Sequence, residues 1–138
     1  MYHYRKTRKH YVKHLSPPGC PFCDKEIETR TIRETEHLRI VPNLTSYDVW
    51  ELTKVVDHLL ILPKRHVATL QELTKTERTE LIDLMAEYEV NGYSIHARAP
   101  QSTTRSVTHQ HTHLIKTEGK RARASLFLKK PYVLLRIK

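Results

Sequence analysis

Residues 108–115 read Thr108-His109-Gln110-His111-Thr112-His113-Leu114-Ile115. They lie within residues 107–116, which the pattern predicts as a strand. Strand side chains alternate with period two, so His109, His111 and His113 are expected to project in a row from one face. Three imidazoles side by side are costly to pack unless they have chemical work to do. Two uses are open at this point. Histidines at i and i+2 on a strand are good zinc ligands, which allows a catalytic three-histidine metal site. Alternatively, one imidazole is a nucleophile and its neighbours orient or assist it.

Both cysteines of the chain lie in Cys20-Pro21-Phe22-Cys23. A redox pair of the glutaredoxin kind needs a strand just before the motif and a helix starting at its first cysteine, whose dipole lowers the thiol pKa. Here the motif follows Leu15-Ser16-Pro17-Pro18-Gly19, which argues against that reading. As half of a structural zinc site the pair needs two further ligands. His66, in Leu62-Pro63-Lys64-Arg65-His66, and His109 would complete a Cys2His2 set and leave His111 and His113 free for chemistry.

The rest of the chain reads as one α+β domain, a mostly antiparallel sheet of about five strands with one long helix packed on it. Residues 1–18 are a basic amino-terminal arm ending in Ser16-Pro17-Pro18, and residues 19–138 form the domain. Residues 37–41 alternate polar and apolar and stop at Pro42-Asn43, a short strand and a turn, and a second extended stretch is expected around residues 47–52. The aliphatic run of residues 55–62 predicts a central strand covered on both faces. Thr74-Lys75-Thr76-Glu77 fits a capping box, and Leu81, Leu84, Met85 and Tyr88 follow at helical spacing until Asn91-Gly92. Residues 93–97 read as a strand and residues 99–105 as a polar loop. Residues 124–128 and 132–137 flank Lys129-Lys130-Pro131 as a closing hairpin.

The net charge of +9 belongs to the ends. Residues 1–14 hold five Lys or Arg and residues 119–138 seven, with no acid in either. Such ends attract phosphates and nucleic acid in a salt-dependent way, and they equally serve as solvated segments. No apolar run approaches membrane-spanning length, and Met1 to Tyr11 lacks the apolar stretch of a signal peptide. With no disulfide framework, a cytoplasmic location is expected.

Together these motifs resemble the histidine-triad (HIT) superfamily of nucleotidyl hydrolases and transferases, whose signature is His-x-His-x-His followed by two apolar residues. Leu59-Leu60-Ile61-Leu62-Pro63-Lys64-Arg65-His66 is similar to the strand and turn before the helix in those proteins, and the order of motifs matches over about residues 19–116. The resemblance implies a structural zinc on Cys20, Cys23, His66 and His109. It implies His111 as the nucleophile toward the α-phosphorus of a nucleoside phosphoanhydride, ester or phosphoramidate, through a nucleotidyl-histidine intermediate. His113 and Ser106 would contact phosphate oxygens, and a homodimer is common in the family.

This chain also departs from the family pattern. Gln110 and Thr112 stand where apolar residues are usual, Thr104-Arg105 replaces Gly-Gln, and Arg98 falls on a phosphate-binding Asn. Arg98 and Arg105 are expected to clamp phosphate themselves, guanidinium being suited to its geometry. Two alternatives follow from these departures and from the basic ends. One is a non-catalytic, zinc-stabilised module binding nucleic acid or protein, and the other is an enzyme of this type acting on nucleic-acid ends.

Overall fold

The computed structural model describes residues 19–128 and 133–137. The expected basic arm, residues 1–18, lies outside them. In chain order the elements are α1 (Glu26–Thr29), β1 (Arg33–Glu34), β2 (Leu38–Pro42), β3 (Val49–Trp50) and β4 (Thr53–Pro63). A 3-10 turn (Leu70–Glu72) follows, then α2 (Lys75–Val90), β5 (Tyr93–Ala97), β6 (Thr112–Arg121), β7 (Ala124–Leu128) and β8 (Val133–Ile137). The main sheet runs β1-β2-β4-β6-β5, every pair antiparallel, and β3 pairs with the start of β4. β7 and β8 form the expected closing hairpin as a separate two-stranded sheet.

β4 is the central strand and is covered on both faces, as its aliphatic density implies. Leu59 and Ile61 join Leu38, Ile40 and Leu114 against Leu81 and Leu84 of α2. Leu60 and Leu62 point the other way, into a smaller cluster with Val41, Ile27 of α1 and Phe22. Burying each such side chain contributes about 1.5–3 kcal/mol, so the sheet is held from both sides.

α2 starts where its cap is written. The Glu77 backbone N–H donates to Thr74 Oγ1 at 3.2 Å, and the Thr74 backbone N–H donates to Glu77 Oε2 at 2.7 Å. Gly92, at φ 87°, turns the chain out of the helix in a conformation other residues adopt with strain.

Two expectations need correction. Residues 47–52 are not one extended stretch. β3 stops at Trp50, and Glu51 and Leu52 take left-handed φ values of 51° and 63° in a two-residue turn that returns the chain into β4. Nor does a strand begin at residue 107. β6 starts at Thr112, which pairs with Ile61 of β4 on one side and with Ala97, the last residue of β5, on the other. Residues before Thr112 have no ladder on either edge. The Gln110 N–H instead finds the carbonyl of Val67, at 2.7 Å.

Candidate functional site

The three histidines of the motif are buried, with exposures of 0% for His109, 6% for His111 and 4% for His113. They do not form a row on one strand face. Only His113 belongs to β6, while His109 and His111 sit on the bent approach to it. Each ring therefore meets different partners, and those partners decide which nitrogen carries the proton.

His109 Nε2 lies 2.9 Å from the Pro63 carbonyl, which can only accept, so Nε2 holds the hydrogen and Nδ1 presents a lone pair. That lone pair faces thiols. His109 Nδ1 is 3.4 Å from Cys20 Sγ and 3.3 Å from Cys23 Sγ, and His66 Nδ1 is also 3.3 Å from Cys23 Sγ. The ligand atoms of Cys20, Cys23, His66 and His109 all lie within 4.8 Å of one another, a group that could hold a metal ion. The Cys-x-x-Cys segment is a turn closed by Cys23 N–H to the Cys20 carbonyl at 3.0 Å, and α1 begins only at Glu26. The thiols therefore lack the helix terminus a redox pair needs. Desolvation and the Cys20 thiol beside it push the Cys23 thiol up to about 11. Burial pulls His109 down to about 4, which keeps its ring neutral and able to coordinate.

His111 Nδ1 lies 2.8 Å from the His109 carbonyl, which again only accepts. The hydrogen sits on Nδ1, which makes Nε2 the basic nitrogen of the ring. One residue thus serves both groups: the His109 side chain faces the cysteines, and its carbonyl sets the tautomer of His111. Phe22, between the cysteines, places its ring edge-on to His111 at 5.3 Å and to His109 at 5.9 Å between centroids.

His113 is oriented by a residue the sequence reading missed. The Tyr47 backbone N–H donates to His58 Nδ1 at 3.1 Å, so the hydrogen of His58 sits on Nε2, 2.9 Å from His113 Nδ1. His113 then carries its own hydrogen on Nε2, a buried atom with no hydrogen-bond partner among the described residues. A buried donor left unpaired is expensive and marks a position where a ligand oxygen would be welcome. Burial, with His111 and His58 close by, holds His113 well below the usual histidine range, so the ring is neutral. The signal for His58 was present, since it is a polar residue inside an aliphatic run.

Tyr47 and Trp50 wall this end, stacked at 5.8 Å with 8° between planes. Tyr47 contacts His113 at 5.7 Å, and Trp50 packs on half-buried His96 at 5.2 Å. Arg98 reaches the same wall, its Nη2 donating to the Tyr47 hydroxyl at 2.6 Å and its Nη1 to Thr104 Oγ1. Ser106 is half-buried in the loop between β5 and β6. Arg105 turns its guanidinium to carbonyls: Nε donates to Val107 at 3.2 Å, and Nη2 to Ala68 and Thr108, each at 2.6 Å.

With this geometry established, solved structures provide the comparison. A HIT family hydrolase from Clostridium thermocellum aligns at a TM-score of 0.55 and 22% identity, over 75% of this chain and 95% of that one. A HIT family protein from Bacillus anthracis aligns at 0.56 and 19%, over 86% and 89%. This chain has the histidine-triad fold. A histidine triad nucleotide-binding protein from Candida albicans shares it at a TM-score of 0.52 and 21% identity, over 82% and 90%. No family model and no curated protein sequence matches the chain. As expected, one long helix, α2, packs on the sheet; His111 and His113 lie beside Phe22 and Tyr47. No helix among the described residues is long and apolar enough to cross a membrane.

Proposed function

We propose that this chain is a nucleotide hydrolase or nucleotidyltransferase that cleaves at the α-phosphorus of a nucleoside phosphoanhydride or phosphoramidate. The observation that carries the reading is the pair of opposed tautomers: Nε2 is the basic nitrogen of His111, and beside it Nε2 of His113 carries a hydrogen. The first is a nucleophile and the second an electrophilic support, the two functions an in-line displacement at phosphorus requires. Structural relatives named as HIT family hydrolases and as a nucleotide-binding protein are in keeping with it.

In the first step the His111 Nε2 lone pair forms an N–P bond, and the P–O or P–N bond to the leaving group breaks with its electrons, the leaving group taking a proton from solvent. The N-phosphorylated imidazolium so formed is stabilised by its Nδ1–H on the His109 carbonyl. In the second step water attacks phosphorus and gives a proton to solvent, and the N–P bond returns its electrons to Nε2. His113 Nε2–H and the Ser106 hydroxyl donate to the phosphate oxygens, while Arg98 and Arg105 add positive charge from the loop. Splitting one displacement into two gives each a good nucleophile and a good leaving group.

Cys20, Cys23, His66 and His109 fit a structural zinc. Tetrahedral zinc with Zn–S near 2.3 Å and Zn–N near 2.0–2.1 Å has S···N edges of about 3.6 Å, and the observed separations are 3.3–3.4 Å. The His109 Nε2–H to Pro63 bond is the outer support such a ligand needs. When bound, the ion would tie the Cys-x-x-Cys turn to the segment that carries His111. Free thiols turned toward histidines also fit a reducing, cytosolic compartment.

The test is turnover of dinucleoside polyphosphates and an adenosine phosphoramidate by wild type and His111→Ala. The expected result is loss of at least about a thousandfold in the variant. Equal turnover by both proteins would remove His111 as the nucleophile.

A further inference from the structure

Two features set this chain apart in sequence, a polar Gln110 within the histidine motif and an arginine at position 105, and in the structure they are partners. Arg105 Nη2 lies 3.3 Å from Gln110 Oε1, and Gln110 is 97% buried, its exposure being 3%. The same guanidinium bonds to the carbonyls of Val107, Thr108 and Ala68, and the Gln110 N–H bonds to the Val67 carbonyl. Two chain segments are joined in this way. One is residues 66–68, which begins with His66. The other is residues 107–110, which contains His109.

We infer that Arg105 is a positioning residue that latches the His66 segment to the His109 segment and so sets the spacing of the two histidine ligands before a metal arrives. This rests on the four-ligand metal reading above. The physical need is specific. Residues 107–111 pair with no strand, so the Val107 and Thr108 carbonyls have no ladder donors. A planar guanidinium presents several N–H groups in a fixed fork and can bridge carbonyls from two segments at once. A lysine ammonium offers a point charge without that fork, and a neutral side chain of this length offers fewer donors still. The carbonyl oxygens in turn solvate a cation that has been drawn away from water. The cysteine half of the cluster lies on an exposed turn, so rigidity in the histidine half determines how much of the site is preformed.

The experiment uses Co(II) as the probe metal on the full chain, read by its visible absorption and by competition with a chelator. Arg105→Met and Arg105→Lys are compared with wild type and with Leu81→Ala, a core substitution in α2 that replaces neither a ligand nor a residue of the latch. Expected is a rise of about 10- to 100-fold in the Co(II) dissociation constant for Arg105→Met, a smaller rise for Arg105→Lys, and an altered absorption band in both. Leu81→Ala should keep the wild-type affinity and band despite a lower melting temperature. Wild-type affinity and spectrum in the Arg105 variants would overturn the latch, as would a loss that follows melting temperature in the way Leu81→Ala does. Should Arg105→Met fail to fold, Arg105→Lys and Arg105→Gln carry the same comparison. A wild-type chain that takes up no Co(II) would also overturn it. Since no turnover is measured, failure of the hydrolase reading leaves this result untouched and is seen separately with His111→Ala.

Discussion

His58 Nε2 and His113 Nδ1 are 2.9 Å apart, on neighbouring strands β4 and β6. The contact has a direction, because the Tyr47 N–H already occupies His58 Nδ1. A backbone amide thus determines, through two rings, that His113 offers a hydrogen at Nε2.

Removing the middle ring tests this chain of donors. His58→Phe keeps an aromatic of similar size and deletes the donor, leaving His113 Nδ1 buried without it. Stability should fall by about 1–3 kcal/mol in urea denaturation. The His113 tautomer should become mixed, with a fall in kcat of at least about tenfold and a smaller effect on KM. Unchanged kcat would show that His58 only fills space.

Metal removal should destabilise the domain and do so in a pH-dependent way. A chelator should lower stability by about 3 kcal/mol if the free metal had been a hundredfold above its Kd, with Cys20→Ser showing the same loss and no metal on purification. Cys23, whose thiol is pushed up to about 11, must give up a proton to become a ligand. Affinity should therefore rise with pH, and competition with a chelator at pH 6 and pH 8 measures it. A pH-independent affinity would be incompatible with thiolate ligation.

Glu77 offers a test of the fold in acid. Arg65 holds its carboxyl at about 2 through bonds of 3.2 and 2.8 Å, and the side chain is 4% exposed. A carboxylate whose folded pKa lies below its unfolded value contributes stability above the unfolded pKa, near 4.5, and loses it as pH falls toward 2. Glu77→Gln should therefore cost about 2–3 kcal/mol at pH 7, and the gap between variant and wild type should close as pH drops from 4.5 to 2. Thermal melts across that window measure it. A gap that persists at pH 2 would assign the loss to packing instead.

How much of this was legible depended on how local the cause was. The capping box of Thr74 and Glu77, the stripe through Leu81 and Leu84 and the turn at Gly92 all act within a few residues, and they read correctly. The two-residue turn at Glu51-Leu52 did not, because neither residue is one that tolerates left-handed φ cheaply and so neither signals a turn. Arg65 showed no sign of its tie to Glu77, since its reach across the cap depends on where β4 delivers it. His58 looked like an interruption in an apolar run until Tyr47 and His113 were seen on either side.

By itself the sequence determined the donor inventory: two thiols, the histidines at 66, 109, 111 and 113, and an α+β chain with enough apolar periodicity to bring them together. Only the tertiary structure decided which nitrogen of each ring carries the proton. Period-two alternation would have placed His109, His111 and His113 alike on one face. Pairing of β6, however, begins only at Thr112, opposite Ile61 and Ala97, and the segment before it bends at Thr108 and His109. On that bend His109 meets the cysteines and His111 a carbonyl, while the pairing of β6 with β4 brings His113 to His58. A proton's position on imidazole follows from a partner across the fold, and no spacing along the chain encodes it.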